Sequence, residues 1–151
     1  MKTKRIIMLV VALVVLQNVL LAQDAYVYKM IGKSKSQVVN TYGKPAHTDD
    51  SNPSMVCMFY KKNQNSMVFV SDEKSVFQAE ANLFYSGETE STKLLNKVVQ
   101  SAIEDGFSSD TLSTSHFKLH KPGVDFSIAY LKDSGASLHK ISVKANRKEG
   151  E

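Results

Sequence analysis

From residue 76 to residue 85 the side chains alternate. Phe77, Ala79, Ala81, Leu83 and Tyr85 point one way, and Gln78, Glu80 and Asn82 the other. A period of two with one apolar side predicts a strand with one face on a core and one in water, as in an antiparallel sheet. Residues 94–103 carry a different rhythm. Leu94, Leu95, Val98, Val99, Ala102 and Ile103 recur at i, i+1, i+4, i+5, i+8 and i+9, an amphipathic helix. Thr89, Ser91 and Thr92 are candidate N-caps, and Gly106 follows where a C-terminal cap is expected.

A shorter helix is predicted over residues 35–42. Ser34 and Gln37 have the spacing of a capping box, Val38, Val39 and Tyr42 form an apolar stripe, and Gly43 and Pro45 stop it. Eight residues are too few for a stable isolated helix, so this one must dock. Tyr26, Tyr28 and Met30 alternate with Ala25, Val27 and Lys29, which suggests a short extended piece ahead of it. Residues 46–54 read as a polar loop. Strands are expected at 55–60, 66–71 and 76–85, then at 114–121, 125–132 and 138–145, with turn chemistry at Pro122-Gly123 and at 133–136.

The order helix, strand, strand, strand thus occurs twice, over residues 31–85 and 91–145. The turns are too short for parallel crossovers. The expected fold is α+β: two α-β-β-β units forming one antiparallel sheet with two helices packed on one face. Residues 23–146 make one domain and 147–151 a frayed tail.

Composition changes the picture mainly at the N-terminus. Lys2, Lys4 and Arg5 precede an uncharged apolar run, residues 6–16, and Ala22 offers a small residue for cleavage. This is the layout of a secretory signal peptide over residues 1–22. The competing reading is a retained anchor, but Gln17-Asn18 interrupt a stretch already at the short end of a membrane span. No cysteine lies near the cleavage point, so no lipid anchor is expected. The chain of 151 residues carries 19 Lys+Arg and 15 Asp+Glu; without residues 1–22 it carries 16 against 15, a formal charge of +1. The basic balance belongs to the targeting segment, and no basic stripe interleaved with aromatics argues for nucleic acid. Cys57 is the single cysteine, so no intrachain disulfide forms. Among Met55, Val56, Met58 and Phe59 it reads as a buried thiol.

Candidate chemistry is sparse. His116 and His120 share a face of one strand but stand about 13 Å apart along it. His47, Asp49 and Asp50 form a loop of hard ligands without the spacing of a calcium loop. No nucleophile elbow, phosphate loop or dinucleotide fingerprint occurs. No catalytic, cofactor-binding or metal-binding residue is assigned, and no cofactor is expected. The best partner-binding candidates are Tyr26, Tyr28, Tyr60, Phe84 and Tyr85, because aromatics on a sheet face away from the helices can hold a partner. Core packing is the competing role for each of them.

Gly32, a short helix with Val38, then Tyr42-Gly43-Lys44-Pro45, later Tyr60, then Val68-Phe69 before a turn and Val76, form a pattern over residues 31–77. It resembles small secreted bacterial α+β modules, the SmpA/OmlA outer-membrane assembly lipoproteins and the beta-lactamase inhibitor protein with its two tandem units. The lipidated cysteine of the first group and the disulfides of the second have no counterpart here. The resemblance implies a non-enzymatic, periplasmic or secreted module that binds a protein, and transfers no binding residue. The reading is therefore an exported protein-interaction module. The alternative is a small-ligand or metal-binding carrier, or a hydrolytic enzyme, with its pocket between helices and sheet.

Overall fold

The computed structural model describes residues 23–132 and 137–148. The expected signal peptide, the turn at 133–136 and the last three residues lie outside them. No helix among the described residues is long and apolar enough to cross a membrane.

Strand outweighs helix among the described residues. A 3-10 helix, Asp24–Met30, leads into α1 (Lys35–Tyr42). Four strands follow, β1 (His47–Asp49), β2 (Val56–Lys62), β3 (Asn65–Ser71) and β4 (Val76–Tyr85). Then come α2 (Glu88–Glu104), β5 (Ser108–Ser113), β6 (His116–Lys121), β7 (Val124–Lys132) and β8 (His139–Arg147). All eight strands join one antiparallel sheet in the order β1-β2-β3-β4-β8-β7-β6-β5.

This corrects the expected architecture of two α-β-β-β units with two helices on one face. Among the described residues each half contributes four strands, and three helices accompany the sheet. The extra strands are the edges. β1 is polar and wholly exposed, and β5 (Ser-Ser-Asp-Thr-Leu-Ser) has no apolar alternation. Backbone pairing places them, on β2 and β6, with the His47 ring against Phe59 and Asp110 near His120 as side-chain contacts. The 3-10 helix replaces the extended piece. Ala25, Tyr28 and Ile31 are buried at a spacing of three, the 3-10 period, which the alternating tyrosines concealed.

The helix ends follow local chemistry. The Ser34 hydroxyl accepts from the Gln37 N–H at 3.3 Å, and the Ser34 N–H donates to Gln37 Oε1 at 2.9 Å, which completes the capping box. α2 starts before its candidate caps, at Glu88 with Gly87 as N-cap. Ser91 instead turns inward, and its hydroxyl donates to the Gly87 carbonyl at 2.9 Å. Gly106 (φ 88°) ends α2, where the Phe107 N–H reaches back to the Ala102 carbonyl at 3.0 Å.

The core lies between the helices and one sheet face. Met58, Tyr60, Met67, Phe69, Ala79, Ala81 and Leu83 supply it from the first half; Leu119, Phe126, Ile128, Ile141, Val143 and Ala145 from the second. Each half has an aromatic cluster. Phe69 packs with Tyr42 and Tyr60 at ring separations of 5.0 and 5.7 Å. Phe126 stacks on Tyr28 at 4.3 Å and meets Phe107 edge-on at 5.1 Å. β4 and β8 join the halves, from Gln78 opposite Asn146 to Tyr85 opposite His139. The Arg147 guanidinium ties β8 to the β3–β4 turn through Asp72 and donates to the Ser75 hydroxyl at 2.9 Å. Arg147 is thus part of β8 rather than of a tail.

Candidate functional site

The side chains between the core positions of each strand form the opposite, open face. Pairing aligns them in rows. One row runs His47, Phe59, Val68, Glu80 across the first half. It continues through Lys144, Ser127, Lys118 and Asp110 in the second. The first half of this face is the more apolar, with Cys57, Phe59, Val68 and Val70 next to Gln78 and Glu80 of β4, and Phe84 nearer the far end. The second half is charged. A shallow concavity of about 530 Å³ lies there, with Lys118, Lys144 and Lys148 beside Asp110, Asp125 and His120. One Asp125 carboxylate oxygen, Oδ1, is buried there without a hydrogen bond.

The aromatic candidates do not gather on this face. Tyr28 is 3% exposed and Tyr60 6%, both inside the core clusters. The Tyr28 hydroxyl donates to Asp105 Oδ2 at 3.3 Å, and that carboxylate pairs with Lys29 at 2.9 Å. The Tyr60 hydroxyl donates to the Gly43 carbonyl at 3.0 Å. Tyr26 is half-buried at the 3-10 helix, with the Lys29 ammonium 5.3 Å from its ring. Tyr85 shares the core side of β4, and burial with Glu90 and Asp24 nearby pushes its hydroxyl up to about 12. Phe84 alone of the five occupies the open face, half-buried, with the Lys140 ammonium 5.9 Å from its ring.

Cys57 is also on the open face and is half-buried. Alternation in β2 puts Val56, Met58 and Tyr60 inward and leaves Cys57 and Phe59 outward, which corrects the fully buried thiol. His47 stacks on Phe59 at 5.7 Å. Asp49 accepts from the Ser51 hydroxyl at 2.7 Å and its N–H at 3.1 Å, which lowers its carboxyl below the usual range. His116 and His120 lie on β6, six strand spacings from β1 or about 29 Å across a flat sheet. The two histidine groups do not converge. Among the described residues no three His, Cys, Asp or Glu side chains form a metal cluster.

A second cavity, about 270 Å³, opens on the helix side where the 3-10 helix, α1 and β2 meet. Asp24, Tyr42, Tyr60 and Met67 line it, and the exposed Lys44, Lys61 and Lys62 rim it. Asp24 is 5% exposed, and its Oδ2 has no hydrogen-bond partner. Burial pushes its carboxyl above the usual range, with Lys62 acting weakly against that shift. Sequence reasoning passed over Asp24, because an acid ahead of a short apolar run reads as surface. Its nearest signal was the buried 3-10 period beginning at Ala25.

No protein-family model matches the chain. No curated protein matches its sequence. Two solved structures are similar in shape. One is a cysteine-rich secretory protein from Staphylococcus aureus subsp. aureus Mu50, at TM-score 0.44 and 10% identity over 80% of this chain. The other is an extracellular protein containing a SCP domain from Bacillus anthracis str. Ames, at TM-score 0.38 and 13% identity, again over 80% of this chain. The chain spans under half of each, 46% and 45%. Likeness at this level carries no argument about this chain's activity.

Proposed function

We propose that this is an exported protein-interaction module that docks a protein partner on the open face of its sheet. The observation that carries this reading is the continuous row from His47 to Asp110, which crosses all eight strands on the side away from the core. Such a face offers an apolar patch around Phe59 and Val68 beside a lysine-bearing concavity. That combination suits a folded partner presenting an apolar projection next to an acidic loop, since apolar anchors supply affinity and charge supplies orientation. Export rests on the basic and apolar layout of residues 1–22. The resemblance of residues 31–77 to small secreted binding modules supports the same reading.

The test pairs capture with face-specific variants. Wild-type protein is used to capture partners from envelope extract, and the same capture is repeated with Phe59→Ala, with Lys118→Glu/Lys144→Glu, and with Lys97→Glu on exposed α2. The partner should be lost with the first two and kept with the third. Retention by both open-face variants, or equal loss with Lys97→Glu, sinks the reading. N-terminal sequencing of the exported chain should begin at Gln23; a start at Met1 would show a retained segment.

A further inference from the structure

The cavity beside Asp24 has two unlike ends. Its inner lining accepts hydrogen bonds. The Tyr42 hydroxyl donates to the Gln23 carbonyl at 3.3 Å and the Tyr60 hydroxyl to the Gly43 carbonyl at 3.0 Å. Each phenol has thus committed its one proton and can only accept from a further group. Beside them stands the Asp24 carboxylate, nineteen-twentieths buried and with an oxygen lacking any donor. The rim is the reverse: Lys44, Lys61 and Lys62 are exposed cations.

A buried carboxylate oxygen without a donor, here Asp24 Oδ2, is costly and normally has a partner or a function. Here the missing partner is a hydrogen-bond donor, and a cationic one matches best. Acceptors inside and cations outside match a molecule with an ammonium at one end and a carboxylate at the other. The volume of about 270 Å³ is just under the usual range for drug-sized ligands and has room for several small non-hydrogen groups.

We propose that this pocket binds a free, small α-amino acid, with its ammonium toward Asp24 and the two phenolic oxygens and its carboxylate toward the lysine rim. The site lies on the helix side of the sheet, so it is independent of a partner on the open face.

Calorimetric titration of the chain beginning at Gln23 tests it, with L-alanine, N-acetyl-L-alanine and L-alanine amide as probes. Alanine should bind. Acetylation removes the ammonium and should weaken binding at least tenfold; the amide, which keeps it, should lose less. Asp24→Asn keeps the shape and removes the charge, so it should melt no lower than wild type yet bind at least tenfold more weakly. Lys62→Gln should weaken alanine several-fold. Equal binding of alanine and N-acetyl-alanine overturns the proposal. So does no heat from alanine at about 10 mM, beyond the weak end of the usual affinity scale, with the protein folded. A chain with one alanine added before Gln23 is run alongside, because a free Gln23 amino group is another ammonium one residue from Asp24. Binding by the extended chain alone would show that the terminus fills the site, and would overturn the free-ligand proposal.

Discussion

The two halves of the sheet, β1–β4 and β5–β8, share an order and differ in how they are held and what they present. In the second half one 17-residue helix, α2, covers the core face, through Leu95, Val98 and Ala102. In the first half an eight-residue helix contributes Val38, and the 3-10 helix supplies Ala25, Val27 and Tyr28. Tyr28 even crosses over, because its ring stacks on Phe126 of β7. The outward rows diverge further, apolar around Phe59 and lysine-rich around Lys118. A strand pattern specifies which residues face the core, and leaves the outward residues free to differ.

The sharpest way to break this comparison is to empty each aromatic cluster. Phe69→Ala and Phe126→Ala should each cost about 3–5 kcal/mol. Because β4 and β8 bind the halves together, either change should lower one cooperative denaturant transition. Two transitions, seen as fluorescence and circular dichroism that fail to coincide, would show the halves to be separate folding units.

The helices offer a smaller contrast. Leu95→Ala should cost about 2–5 kcal/mol, and Val38→Ala less, because fewer methyl groups leave the core. Urea midpoints measure both; a larger loss at Val38 would make α1 the principal support. Ser34→Ala removes the capping box and should cost about 1 kcal/mol by the same measurement. A loss near zero would mean that docking of Val38 and Tyr42 alone holds α1.

The smallest effect concerns the tie between the halves. Arg147, with the Ser75 and Lys74 N–H groups, holds the Asp72 carboxyl well below the usual carboxylate range. Its folded pKa is depressed, so the stabilisation is present above the unfolded value near 4 and is lost as pH falls below it. Arg147→Ala should therefore lower the melting temperature slightly at neutral pH and flatten its decline below about pH 4. An unchanged acid limb would assign that decline to other carboxylates.

Much of this fold is legible in the residues, and the omissions share a cause. Six strands are legible, three of them (76–85, 125–132 and 138–145) through alternation, because burial on one side demands it, and the others as short runs between turns. Thr48 on β1 and Asp110 on β5 lie on edges where backbone hydrogen bonds suffice and side chains carry no pattern. Tyr26, Tyr28 and Met30 imitate a strand, although three-residue burial decides the segment. The aromatic candidates show the limit at the site. Tyr28 and Tyr60 are packed inside, and periodicity could not distinguish a ring that binds from one that fills. Asp24 gave no sign, because its surroundings come from Tyr42 and Tyr60, eighteen and thirty-six residues later.

The strand order reads the same from either edge: each half enters at a rim and finishes at the centre. The crossing from one half to the other runs through Ser86 and Gly87, between the end of β4 and the start of α2. A chain so arranged is a natural split protein. Two polypeptides, one ending at Ser86 and one beginning at Gly87, would each present an unpaired central strand, β4 or β8, to the other. Each alone would be a sticky half-sheet, and together they would zip along one seam, a reporter of proximity for whatever they are fused to.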